Sequence, residues 1–200
     1  MLATPTAALR LVDEIPGLLL KEERRGDLLE PQTWGAVLGP EGIDGQSQHR
    51  YMLWRIFDPL LPLLVVLMLN PSGATHSQGD RTVDGLVRRA RRLGYGGILV
   101  INCFAWRAKD PSCMRKAPDP IGPANDRAIE LALDEDVDLL CAWGTNATHL
   151  GREEKIRCLI SEGRARPHWL RLCAGGAPEH PLYLPYALTL TPWHVTSPSA

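Results

Sequence analysis

The chain has 200 residues, 44% of them apolar and 22% charged, with a formal net charge of −1. That length suits one domain with a substantial core, and the near-neutral charge makes no global case for nucleic acid, although local charge still can. No apolar run approaches the roughly 18 residues of a membrane span, and Met1 to Leu20 lacks a basic segment followed by a continuous apolar core. A cytoplasmic protein with no membrane partner is expected.

The five cysteines, Cys103, Cys113, Cys141, Cys158 and Cys173, are dispersed, odd in number and free of CxxC spacing. The pattern predicts reduced thiols, with no metal site and no cofactor.

In chain order, residues 1–32 read as an N-terminal extension with helical spacing around Leu18–Leu29. Trp34–Leu38 and His49–Ile56 form two strands joined by a Gly/Pro/Gln-rich connection, so an antiparallel hairpin is expected at the sheet edge. Leu63–Leu69 is a continuous apolar run, the signature of a strand buried on both faces, and it ends abruptly in Asn70-Pro71-Ser72. A helix follows over about Thr82–Leu93, closed by Gly94. A second buried strand, 97–101, runs into Asn102, and a Pro/Asp-rich loop spans Phe104–Pro123. Asn125 or Asp126 caps a helix to Leu133. A third strand, 137–142, precedes Gly144, and a helix covers 152–162. Trp169–Cys173 is the expected last inner strand, and residues 191–200 a disordered tail. This alternation predicts one α/β domain over 33–190. Its architecture is a three-layer sandwich with a mostly parallel central sheet of about four inner strands plus the N-terminal hairpin.

The chain contains no GxxxxGK[ST], no GxGxxG after a strand, no GxSxG and no HExxH, which removes phosphate-loop enzymes, dinucleotide dehydrogenases, ordinary α/β hydrolases and zincins. What remains is a row of polar residues at strand ends, where open α/β sheets bind ligands. Asn70 can orient a water through its amide or simply form a turn before Pro71. Asn102 has the same two readings. In Phe104, Trp106 and Arg107 the loop offers aromatic surface and a guanidinium for stacking and anion contact, or a plain cover for the sheet edge. His180, held extended by Pro181, can donate to an oxygen that turns negative, or lie idle in a surface loop. Asp80, at the helix start Asp80-Arg81-Thr82, reads either as a plain helix cap or as a site residue. Arg88, Arg89, Arg91 and Arg92 spread around their helix, so a solvated face and a phosphate-contact surface both stand.

The order of several motifs carries a resemblance. These are Arg50-Tyr51-Met52-Leu53, Leu69-Asn70-Pro71-Ser72, Asn102 through Pro111, Gly122-Pro123-Ala124-Asn125-Asp126, Ala142-Trp143-Gly144 and His180-Pro181-Leu182-Tyr183-Leu184. Together they resemble the domain of unknown function 1643 family over about residues 33–187. That family resembles, more distantly, the uracil-DNA glycosylase-like superfamily. The second resemblance implies a water-orienting role for Asn70 before Pro71 and base reading by Asn102. It also implies that His180, before Pro181, stabilises the departing base. Catalytic roles are therefore expected for Asn70 and His180. Substrate contacts are expected from Pro71, Ser72, Asp80, Arg81, Asn102, Phe104, Trp106, Arg107, Asn125, Asp126, Gly144, Pro181 and Tyr183. The implied activity is N-glycosidic bond hydrolysis in nucleic acid or a nucleotide. The alternative is a non-catalytic module that binds nucleotide or nucleic acid in the same pocket. This chain departs from the family pattern at Gly73-Ala74-Thr75 and at Cys173-Ala174, where a Thr-Lys pair is usual.

Overall fold

In the computed structural model, which describes residues 4–26, 32–42 and 45–195, the apolar runs become the interior of one mixed sheet. The order is α1 (Thr6–Glu14), β1 (Leu19–Arg25), β2 (Gln32–Leu38), β3 (Arg50–Ile56), β4 (Leu63–Met68), α2 (Arg81–Leu93), β5 (Gly97–Asn102) and α3 (Pro111–Arg115). Then come α4 (Asn125–Leu133), β6 (Asp138–Cys141), α5 (Arg152–Glu162), β7 (Arg166–Trp169) and β8 (Thr191–Pro192), with 3₁₀ segments at Gly144–Gly151 and Pro181–Tyr183. Across the sheet the strands run β1-β2-β3-β5-β4-β6-β7-β8.

The two-residue period of the strands divides the core into two layers. Val65 and Leu67 of β4, Leu99 and Ile101 of β5 and Leu139 of β6 pack with α1, α4 and α5. Leu64, Val66 and Met68, with Ile98, Val100 and Leu140, face the other way and pack against Val83, Leu86 and Ala90 of α2. Helices therefore cover both faces, as expected of a three-layer domain.

The expected predominance of parallel pairing is corrected. β1–β2, β2–β3, β3–β5 and β7–β8 are antiparallel, and the parallel pairings are β4–β5, β4–β6 and β6–β7. Apolar runs reveal burial on both faces but not direction. Direction follows from the connections: helical crossovers make parallel neighbours, whereas the segments at either edge fold back antiparallel.

Other corrections are local. The segment read with helical spacing, Leu18–Leu29, is the edge strand β1 as far as Arg25, with side chains alternately half-buried and exposed; residues 27–29 lie outside the described residues. Its Lys, Glu and Arg side chains hide the two-residue period from a hydrophobicity reading. The helix lies earlier, at α1, and sinks Ala7, Ala8 and Leu11 into the core, while Glu14 pairs with Arg127 of α4 at 2.6 Å. Residues 4–26 thus contribute a helix and a strand to the same layers. The last inner strand is β7, three residues before Trp169–Cys173; Pro167 masks it, yet its carbonyl still accepts from Trp193 N–H at 2.8 Å. Of the expected tail, Thr191–Pro192 forms β8, Trp193 packs 5.7 Å from Trp143, and residues 196–200 lie outside the described residues. The N-cap of α4 is Ala124, without a side-chain bond, so neither Asn125 nor Asp126 caps that helix.

Trp54 of β3 is fully buried and lies across Gly35 of β2, where an added Cβ would come within 2.1 Å of the indole. Gly35→Ala should destabilise the protein by about 1–3 kcal/mol through overpacking. Urea denaturation followed by tryptophan fluorescence measures the loss; an unchanged midpoint would show that the ring has room to move.

Candidate functional site

The parallel register of β4 and β5 sets Met68 opposite Asn102. The pairing continues beyond the strands, with Cys103 N–H donating to Met68 O at 2.8 Å and Phe104 N–H to Leu69 O at 2.9 Å. Asn70 and Asn102 continue the parity of Met68 and Val100, so both belong to the face covered by α2. A cleft of about 240 Å³ opens there, walled by Asn70, Ser72, Asn102 and His180, by Arg50 from β3 and by Thr82 from the first turn of α2. Lys109 lines it as well.

Asn70 has a fixed amide orientation. Its Nδ2 donates to Pro71 O at 3.0 Å and Ala108 O at 2.8 Å, while Ala108 N–H donates back to Pro71 O at 2.9 Å. With two carbonyls claiming the nitrogen, Oδ1 is left as the acceptor for a water or ligand. Asn102 is the converse case. The residue is 1% exposed, and its buried Nδ2 has no partner among the described residues. A buried unpaired donor is costly, on the order of 1–3 kcal/mol, unless something else accepts from it.

His180 N-caps the 3₁₀ turn that follows it. Leu182 N–H donates to its Nδ1 at 3.3 Å, which requires a bare Nδ1 and places the proton on Nε2. Burial lowers its pKa, and the charge of Asp80 only partly opposes this. The ring is therefore a neutral N–H donor at neutral pH. Gly144, at φ +69°, anchors the same loop to the end of β6 by donating to Pro178 O at 2.7 Å. Pro181 is buried in the turn, whereas Tyr183 is 87% exposed and outside the cleft.

Asp80 works as a clamp below the cleft. Oδ1 accepts from Thr82 and Val83 N–H at 3.0 and 2.9 Å, and Oδ2 accepts from Ser72 Oγ and Ala74 N–H. Burial raises its pKa, but these hydrogen bonds and the charge of Arg50 outweigh it, holding the carboxyl below its ordinary value of 3.8.

The remaining expected residues fall elsewhere. Asn125 is fully buried and donates to the carbonyls of Asn102 and Cys103 at 3.1 and 3.0 Å, so it fixes the end of β5 from behind. Asp126 pairs with the buried Arg152, which also donates to Cys103 O. Phe104 is fully buried beside His149, and Trp106 meets the edge of His49, so neither aromatic reaches the cleft. Arg107 lines a neighbouring cleft instead. Arg81 is exposed at the start of α2 and outside the wall. The arginines of α2 are mostly engaged: Arg89 is buried on the carbonyls of Leu184 and Pro185, Arg88 donates to Tyr186, and Arg91 stacks 3.9 Å from Phe57. Cys103 and Cys141 are buried, and desolvation pushes the Cys103 thiol up to about 12, which rules it out as a nucleophile at neutral pH. Among the described residues no group of three His, Cys, Asp or Glu is placed to hold a metal ion, and no helix is long and apolar enough to cross a membrane.

Sequence reasoning passed over Arg50, Thr82 and Lys109. Arg50 did leave a signal, since a guanidinium in a buried strand, as at Arg50 and Arg55 of β3, needs a reason to be buried.

A family model described as a protein of unknown function, DUF1643, matches residues 50–182. The chain belongs to that family. The match begins at Arg50 and ends at Leu182, both of which line the cleft, so the DUF1643 region encloses the whole site. No curated protein matches the chain.

A lowered carboxyl pKa stabilises the fold at pH values above 3.8, and the contribution is lost as pH falls through the lower folded value. Asp80→Ala should therefore cost about 1–2 kcal/mol at neutral pH, as for a lost helix cap. Its deficit against the parent should shrink below about pH 3.8. Thermal denaturation of both proteins between pH 2 and 7 tests this, and a constant gap would contradict it.

Proposed function

We propose that this DUF1643 domain hydrolyses an N-glycosidic bond, with the base seated in the cleft between Asn70, Asn102 and His180. The observation that carries this reading is that three residues with unengaged polar groups line one small cleft. They are the amide acceptor of Asn70, the buried unpaired donor of Asn102 and the neutral Nε2–H of His180. The order of Asn70-Pro71, Asn102 and His180-Pro181 along the chain resembles that of uracil-DNA glycosylases, and the proposal extends to their fold. At about 240 Å³ the cleft lies below the roughly 300–1,000 Å³ of pockets for drug-sized ligands, which suits a single planar base.

In this mechanism the bond from C1′ to the base nitrogen breaks first, and its electron pair leaves with the base. His180 Nε2–H donates to the base oxygen on which that charge collects. Asn102 Nδ2 donates to an acceptor on the base edge. Asn70 Oδ1 accepts from a water below the sugar and aims the water's lone pair at C1′. An amide is no base, so the water adds to a cation already formed, and its spare proton passes to the departed base or to bulk water. A base in duplex DNA must first be flipped out, at a cost of a few kcal/mol in rough terms.

One observation favours a second reading, a binding module without chemistry: no carboxylate lines the cleft among the described residues.

The test is incubation with single- and double-stranded oligonucleotides carrying uracil, hypoxanthine or hydroxymethylated bases, and with the free nucleotides, reading abasic sites by hot alkali and released base by chromatography. The parent should cleave one of them, and Asn70→Ala and His180→Ala should each lose about 10²–10³ in rate. Saturable binding without cleavage would replace hydrolysis by the binding module.

A further inference from the structure

Beside the first cleft lies a second of about 340 Å³, and Arg50 lines both. Arg107 lines the second cleft too, with Lys21 and His76 on its rim. Arg50 is 3% exposed; its Nη1 donates to Ala74 O and its buried Nε has no partner among the described residues. Arg107 is half-buried, donates to Ser47 O at 3.1 Å, and also has a buried Nε without a partner among the described residues. Neither guanidinium takes part in an ion pair among the described residues. Glu41, the carboxylate on this wall, is held by Lys21 at 2.9 Å.

Two guanidiniums close enough to repel, one of them fully desolvated, are an unfavourable arrangement on their own. Burial, and after it the charge of Arg107, pushes Arg50 down to about 9, with only a partial return from Asp80. Backbone carbonyls meet some of their N–H groups but none of their charge. An anion in the cleft that both line would supply the missing charge. Rigid N–H forks suit tetrahedral oxyanions, which they can engage through paired hydrogen bonds.

We propose that the second cleft is a phosphate-binding site, with Arg50 and Arg107 as its ligands. That the phosphate belongs to the same molecule as the base in the first cleft rests on the proposed function; the phosphate site itself does not.

Calorimetry with inorganic pyrophosphate tests it on the full chain. The parent should bind one equivalent, and Arg107→Gln should weaken binding about tenfold or more, the size expected for a lost charge-assisted hydrogen bond. Arg171→Gln, at an exposed arginine paired with Glu179, should bind as the parent does. In the unmodified protein, the ring resonances of His76 should move on titration while those of His194 stay in place, which locates the ligand without relying on any variant. Asn70→Ala should keep pyrophosphate binding, so failure of the hydrolysis reading leaves this result intact. Comparison of a nucleoside, its monophosphate and a short oligonucleotide identifies the source of the phosphate by which of them gains affinity through Arg107. No binding at millimolar pyrophosphate, equal binding by Arg107→Gln, or a static His76 would overturn the proposal.

Discussion

The register of β4 against β5 is the constraint on which the site depends. Met68 opposite Asn102 places both chain exits at one edge of the sheet and gives Asn70 and Asn102 the same parity. A slip of one residue would turn one amide toward α1 and α4, on the far side of the sheet. The register is held by burial on both faces, since every residue from Leu64 to Met68 and from Gly97 to Asn102 is buried. The hydrophobic core therefore sets the position of two polar groups that it does not itself contain.

Loops of irregular backbone surround this edge, and their carbonyls need donors. Side-chain amides and guanidiniums supply them. Asn125 and Arg152 converge on Cys103 O, Arg55 donates to the carbonyls of Thr75 and Gln78, and Arg89 holds the segment that follows His180. Arg55 is further braced by the Trp34 ring, which it shares with Arg25, each guanidinium 4.2 Å from the ring centre. Most buried charges here are thus fasteners of loops. Arg50 differs, because among the described residues its guanidinium fastens only the Ala74 carbonyl, and it lines two open clefts.

The buried strands were legible in the sequence because Leu63–Leu69 and Gly97–Ile101 leave few alternatives to a doubly covered strand. Helices α2 and α5 were legible from their caps and closing glycines. Strand direction was not, since the same apolar run serves either. Strand β1 was hidden because its side chains are charged on both faces of an edge, and β7 because Pro167 sits within it. At the site, Asn70, Asn102 and His180 stood out as polar residues at strand ends or before proline, and the structure brings them together. Phe104 and Trp106 looked equally suitable for stacking, but a residue two positions past a strand can continue into the core as easily as into a pocket. The role of Arg50 depends on a neighbour 57 positions away in sequence, Arg107, and local pattern carries no such information.

The central claim is that Asn70, Asn102 and His180 form a single ligand site. Nitrogen-15 NMR of the side-chain amides and imidazoles, followed during titration with free nucleobases and nucleosides, tests it most directly. The account predicts that His180 begins as the Nε2–H tautomer with a bare Nδ1. It further predicts that one ligand shifts Asn102 Nδ2 and His180 Nε2 together at the same concentration. A protonated Nδ1, or a bound base that moves one of these groups and leaves the other unchanged, would contradict it.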